Sequence, residues 1–91
     1  MIVRRYQLEL VDDQTLELPN GAVPISAGLY KRNLVIFATI PDDAGTKNTA
    51  IRFVIAMTGP GPEGIGPEGV RFLGTVAMGG GYHRHVFVVE S

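Results

Sequence analysis

The sequence predicts an all-β fold, a small antiparallel sandwich or open barrel of about seven short strands. Apolar and polar residues alternate with a period of two in several segments, turn residues separate these segments, and no stretch has a convincing helical period. A chain of 91 residues has room for one domain, which is expected to span 1–91. A loop rich in glycine and proline, over 59–69, interrupts this domain.

Each predicted strand is an alternating or apolar run bounded by turn residues. Apolar and polar residues alternate over Tyr6–Leu10, and the pattern returns over 15–18 before Pro19-Asn20-Gly21 ends it. From Val23 the odd positions are apolar and predict a third strand, bent at Gly28. The strands predicted on these grounds are, in chain order, 6–10, 15–18, 23–29, 34–40, 49–58, 70–78 and 83–90.

The turns between the later strands are also marked in the sequence. Residues 30–33 are predicted to form a hairpin turn, because Asn33 tolerates the left-handed conformation that such turns often need. A polar loop over 41–48 separates the fourth strand from the fifth. Gly79-Gly80-Gly81 suits a hairpin turn between the last two strands, since glycine adopts positive φ without steric cost.

Two predicted segments, Leu34–Ile40 and Val86–Val89, are apolar on both faces. In a lone sandwich each would expose an apolar outer surface, and such surfaces usually mark an interface. A second subunit covering them predicts a homo-oligomer, whereas the alternative is that a loop of the same chain covers them. The residues expected on the outer surface are Val35, Phe37, Val86 and Val88.

The composition excludes several classes of protein. The chain has no cysteine, which argues against a disulfide scaffold and a zinc ribbon. Its net charge of -1 gives no general attraction to long nucleic acid or to an anionic membrane. The apolar runs are far shorter than the ~20 residues of a membrane span, and residues 1–5 do not begin a signal peptide. We therefore expect a cytoplasmic domain that binds neither membranes nor long nucleic acid.

One histidine pattern is similar to a known metal motif. His83-Arg84-His85 followed by Glu90 is similar to the first metal motif of cupins, and strand alternation places both imidazoles on one face. Glu90 would face the opposite way, however, and the second histidine motif of cupins is missing. We expect no metal and no other cofactor.

Catalytic patterns are also missing from the sequence. No nucleophile elbow is present. The carboxylate pairs Asp12-Asp13 and Asp42-Asp43 lie in predicted turns, where aspartate is favoured for its backbone hydrogen bonds. The chain is therefore not expected to be an enzyme.

A different set of residues is suited to a small anionic ligand. If the last two strands pair through the triple glycine, Arg71 and Arg84 would face a common pocket, with Tyr82 available for a base. The 59–69 loop would then be a lid over the ligand, or else a simple connector. The alternative is that these residues are solvated surface charges. The candidate ligand-binding residues are Thr58, Gly59, Arg71, Gly79, Gly80, Gly81, Tyr82, His83, Arg84 and His85.

Several short motifs follow one another in a distinctive order along nearly the whole chain. They are Arg5-Tyr6-Gln7-Leu8, 13–22, Ala38-Thr39-Ile40, Arg52-Phe53, Thr58-Gly59, Phe72-Leu73-Gly74-Thr75 and His85-Val86-Phe87. In this order they resemble a family of short tailed-phage and prophage proteins known only as a domain of unknown function. The resemblance implies a phage protein, either a counter-defence factor or a minor part of the virion.

The resemblance leads to two functional expectations. The first is a non-catalytic oligomer that acts as a sponge, sequestering a nucleotide immune signal in the cytoplasm of an infected bacterial host. This function requires a closed pocket, phosphate-binding groups and a loop that covers the ligand. The second is a protein-interaction or minor structural module that acts on a host protein or a virion neighbour.

Overall fold

The computed structural model describes residues 1–59 and 69–90, which form seven antiparallel strands and no helix. The strands are β1 (Ile2–Gln7), β2 (Asp13–Pro19), β3 (Val23–Tyr30), β4 (Asn33–Ile40), β5 (Asn48–Met57), β6 (Val70–Gly79) and β7 (Tyr82–Val89). Sheet A has the order β1-β4-β3, and sheet B has the order β2-β5-β7-β6. The two sheets form a sandwich, which confirms the predicted fold class. No helix in the described part of the chain could span a membrane.

The first strand begins and ends earlier than predicted. It pairs with β4 over residues 2–7, so the predicted strand 6–10 is wrong in its second half. Beyond this pairing the Leu8 N–H donates a hydrogen bond to the Leu34 carbonyl oxygen at 2.9 Å, and the Leu8 side chain is buried. Leu10 lies in the loop that follows and is mostly exposed.

The third strand contains a β-bulge in place of the predicted bend at Gly28. The register with β4 shifts between Pro24 and Ser26, so that the extra residue is Ile25. A bulge of this kind changes which positions face the core. Ile25 is exposed while Ala27 packs against the core, so the prediction that all odd positions share one face is wrong.

The β3–β4 turn places two basic residues in the left-handed region. Lys31 has a φ of 48° and Arg32 a φ of 67°, whereas Asn33 is the first residue of β4. The hairpin turn is where the sequence predicts it, but the prediction that Asn33 supplies the left-handed conformation is wrong. Positive φ at both central residues defines a type I′ turn, in which Asn-Gly is the preferred pair.

The core lies between the two sheets. Val86 and Val88 face into it and are 0% and 3% exposed, so the prediction that they lie on an outer surface is wrong. The four consecutive apolar residues of β7 place their even members inward and leave Phe87 and Val89 on the outer face. The buried residues of this core are Leu8, Leu18, Leu34, Ile36, Ala38, Ile40, Phe53, Ile55, Leu73, Val76, Val86 and Val88.

The outer face of sheet A is covered by its own side chains. Val35 does face outward, but it is only 3% exposed. Arg5 of β1 and Tyr30 of β3 meet above it, with the guanidinium carbon 3.3 Å from the ring centroid. Phe37 is half-buried and lies over Gly28, where an added Cβ would be 3.2 Å from the ring. Neither a loop nor a second subunit is needed to bury Val35, and the homo-oligomer stays a prediction.

The two sheets approach closely where β3 and β6 meet. A Cβ placed on Gly74 of β6 would lie 3.4 Å from the carbonyl oxygen of Ala27 and 3.6 Å from its Cβ. A methyl group at Gly74 would thus be in van der Waals contact with β3, and a larger side chain would push the strands apart. Glycine at position 74 therefore permits β6 to approach β3 closely at this side of the sandwich.

Candidate ligand-binding site

Most of the candidate residues lie at one end of sheet B, where β5 ends and the β6–β7 hairpin turns. Gly79, Gly80 and Gly81 have φ values of 93°, 62° and 82°, so this turn requires glycine, as the sequence predicts. Tyr82 pairs with Gly79, and Arg84 lies between Met57 of β5 and Val76 of β6.

Strand alternation divides the candidates of β7 between two faces. Val86 is in the core, so Arg84 and Tyr82 project toward the inner side of sheet B. His83 and His85 project toward the outer side, on one face as the sequence predicts. The candidates therefore form two groups on opposite faces of sheet B.

The outer group is a hydrogen-bonded chain centred on His85. Its Nε2 lies 2.8 Å from Thr58 Oγ1, and its Nδ1 lies 2.9 Å from Thr75 Oγ1. Both ring nitrogens are occupied, so His85 ties the end of β5 to β6 across β7. The part of the chain that the structure describes contains no cluster of three histidine, aspartate or glutamate side chains that could hold a metal.

Arg71 lies far from Arg84 along the hairpin. It pairs with Val88, four residues beyond Arg84, which corresponds to roughly 13 Å of strand. Its Nε donates to a carboxylate oxygen of Glu90. The common pocket expected for the two arginines is not formed, because the register sets them at different levels of the sheet.

Arg84 reaches a cleft between the β1–β2 loop and β5. The loop is held against β5 by the Ile55 N–H, which donates to the Asp12 carbonyl oxygen at 2.9 Å. One guanidinium nitrogen of Arg84, Nη1, is buried and has no hydrogen-bond partner among residues 1–59 and 69–90. The cleft has a volume of about 170 Å³ and is lined by Leu10, Val11, Asp12, Ile55, Met57 and Arg84.

The cleft combines an unsatisfied donor with an apolar rim. A buried donor left without an acceptor destabilises a fold by about 1–3 kcal/mol, and by more when it is charged. Leu10, Val11 and Met57 are each about half exposed at 57%, 45% and 47%. Within residues 1–59 and 69–90, Arg84 forms no ion pair, although Asp12 lines the same cleft. This surface suits a ligand that has an anionic group and an apolar or aromatic part.

The sequence singles out Arg84 as a candidate but not the residues that lie beside it in the cleft. Leu10, Val11 and Asp12 precede Arg84 by more than seventy residues, and no local pattern indicates that their loop docks on β5. The predicted lid over 59–69 lies, apart from Gly59 and Gly69, outside the residues that the structure describes.

A comparison with protein families identifies the chain. The family model described as domain of unknown function (DUF7352) matches residues 1–91. The chain belongs to this family. Membership of DUF7352 confirms the predicted resemblance to a family of unknown function, and the expected phage origin stays a prediction. Searches among curated proteins and among solved structures found no match to this DUF7352 chain.

Proposed function

We propose that the chain is a non-catalytic binding protein that captures a small anionic, nucleotide-like ligand at Arg84. The observation that carries this proposal is the buried Nη1 of Arg84, which has no hydrogen-bond partner in the described part of the chain. An oxygen of a phosphate or carboxylate would satisfy this donor through a charge-assisted hydrogen bond. Binding of an anion would thereby remove the free-energy cost of leaving this buried donor unpaired in the ligand-free protein.

Tyr82 offers a surface for the remainder of the ligand. It precedes Arg84 by two residues on the same face, at a spacing of roughly 7 Å along the strand. Its side chain is 60% exposed and available for stacking. A cleft of about 170 Å³ admits the anionic group only, so the base would lie over Tyr82 and the apolar rim.

Capture without catalysis fits the sponge function. A phage protein of this kind would withdraw a nucleotide immune signal from the cytoplasm of an infected bacterial host. A homo-oligomer would raise the number of sites per particle.

Native mass spectrometry with a mixture of cyclic di- and oligonucleotides and adenosine-ribose signals tests the proposal. The wild type should gain ligand mass in fixed ratio to its subunits, and Arg84→Met should lose at least about tenfold in affinity, or 1.4 kcal/mol. Arg52→Met is a matched control, because Arg52 lies outside the cleft and pairs with Asp13. If Arg84→Met binds as tightly as the wild type, the site is misplaced.

The alternative function is a protein-interaction module, and one observation favours it. On the outer face of sheet B the rings of Phe72 and Phe87 lie 5.5 Å apart, and Phe72 is 56% exposed. Phe87 is partly buried, so the pair offers one exposed ring on a fixed support, and aromatic side chains are typical anchors for a protein partner. A host or virion partner that binds Arg84→Met but not Phe72→Ser would favour this function over ligand capture.

A further inference from the structure

A second cationic site lies beside the β3–β4 turn and shares no residue with the Arg84 cleft. It is a depression of about 280 Å³ on the outer face of sheet A. Two cations, two amides and a phenol surround a floor formed by Val35, and none of the described residues that line it is acidic. The lining residues are Arg5, Gln7, Tyr30, Lys31, Asn33 and Val35.

The Arg5 guanidinium is preorganised by Tyr30. Its carbon lies 3.3 Å from the ring centroid, and Lys31 Nζ lies 5.3 Å from the same centroid. Stacking uses the flat face of the guanidinium and leaves the N–H groups at its edge for other partners. That edge is the part of arginine that binds phosphate through two parallel hydrogen bonds.

The positive charge at this turn is not neutralised within the described structure. Arg52 and Arg71 are each paired with a carboxylate, whereas Arg5, Lys31 and Arg32 take part in none of the ion pairs of residues 1–59 and 69–90. Three of the eight basic residues thus lie together in a chain whose net charge is -1. Exposed like charges repel one another, and an anionic ligand would relieve this repulsion.

The backbone of the turn provides an independent observation. Lys31 and Arg32 occupy the left-handed conformation, at φ values of 48° and 67°, in which long side chains are uncommon. Asn-Gly would adopt this turn with less strain. Backbone strain that persists in a fold is concentrated at functional sites, and here it places two cations at the tip of a rigid hairpin.

We propose that the depression beside the β3–β4 turn binds the phosphates of a small molecule, as a pyrophosphate or as the terminal phosphates of a nucleotide. Arg5 would hold one phosphate through its guanidinium edge, and Lys31 would neutralise the next. The amides of Gln7 and Asn33 would donate to the remaining oxygens. A depression of about 280 Å³ is at the lower limit for ligand pockets, so it holds the phosphates and leaves the rest of the molecule in solvent.

Calorimetric titration with inorganic pyrophosphate at low salt tests this site. Arg5→Met should weaken binding at least about tenfold, and Arg5→Lys should weaken it several-fold, because an ammonium lacks the bidentate edge. Lys47→Met is the matched control, since Lys47 is an exposed cation outside the depression, and it should stay within about twofold. Equal losses in Arg5→Met and Lys47→Met would show diffuse attraction and overturn the proposal.

Two variants of Tyr30 test whether the aromatic ring itself is needed for binding. Tyr30→Phe keeps the ring and should bind pyrophosphate as the wild type does, whereas Tyr30→Leu removes the platform for Arg5 and should bind several-fold more weakly. Equal binding by both variants would overturn the stacking argument.

Parallel titrations with a nucleoside triphosphate and a single-stranded oligonucleotide distinguish the sources of phosphate. Binding of pyrophosphate or the triphosphate supports the proposal and shows whether the site takes phosphates alone or as part of a nucleotide. Binding of the oligonucleotide alone would assign the site to nucleic acid and overturn it.

Discussion

Replacing the basic turn Lys31-Arg32 by Asn-Gly should make the protein more stable. Each non-glycine residue in the left-handed region raises the free energy of the folded state by about 1–2 kcal/mol. Asparagine at 31 and glycine at 32 would relieve most of this strain at two positions. Glycine also makes the unfolded chain more flexible, which offsets part of the gain. The expected net increase in the free energy of unfolding is about 1.5 kcal/mol.

Urea unfolding followed by circular dichroism measures this change. An unchanged slope with a higher midpoint would place the effect on stability itself. For a domain of this size about 1.5 kcal/mol corresponds to a rise in Tm of roughly 6–12 °C. Lys47→Asn is the control for loss of a cation, because φ at Lys47 is not positive, and its stability should change by less than about 0.5 kcal/mol.

The same double variant tests the function assigned to the turn. It removes Lys31 and Arg32, so its affinity for pyrophosphate should fall while its stability rises. Such opposite effects are typical of a site where stability is exchanged for binding. A double variant that is no more stable than the wild type would refute the argument from backbone strain.

Three further changes have defined outcomes. Arg84→Met removes the guanidinium whose buried Nη1 has no hydrogen-bond partner among the described residues. It should raise the free energy of unfolding of the ligand-free protein, measured in urea, by about 1–2 kcal/mol, and a loss of stability would show that Arg84 is satisfied. Gly74→Val should lower Tm by several degrees because its methyl groups would press on Ala27, whereas Gly74→Ala should be close to wild type in the same thermal scan. The hydrogen bond from Arg52 lowers the pKa of Asp13, so this pair stabilises the folded state above the unfolded pKa of about 3.9, and the contribution is lost as pH falls through the lower folded pKa. Asp13→Asn should therefore lose less stability than the wild type between about pH 6 and pH 3, and parallel Tm profiles would contradict this.

The strand content could be predicted from the sequence because alternation and turn residues are local signals. Which residues of β7 face the core could not be predicted in this way. Val86–Val89 is apolar throughout, so alternation gives no indication of which pair faces inward, and a shift of one residue exchanges the two faces. The bulge at Ile25 likewise exchanges the inward and outward positions of β3, and no local feature of the sequence indicates that a residue is inserted there.

The candidate sites depend on contacts between residues that are remote in sequence. Arg84 could be singled out by its chemistry, but its cleft needs the β1–β2 loop, which docks on β5 only in the folded chain. Arg5 and Tyr30 meet across β4, and no pattern around either residue predicts that the two lie together. A basic pair at the centre of a predicted hairpin turn, as Lys31-Arg32 is over residues 30–33, is a local signal that points to this site.

The order of strands along the chain has a consequence for synthesis on the ribosome. β1 and β2 emerge first, yet each pairs with a strand made later, β1 with β4 and β2 with β5. Among the described strands, only β3–β4 and β6–β7 pair with the next strand along the chain. Their loops close at the smallest entropic cost, so we expect these two hairpins to form early. We therefore expect the β3–β4 hairpin to form before β1 pairs with β4, and its turn is the strained Lys31-Arg32 pair. Strain in this turn would slow closure of the hairpin, so the residues proposed to bind phosphate would also lengthen the time for which β1 stays unpaired.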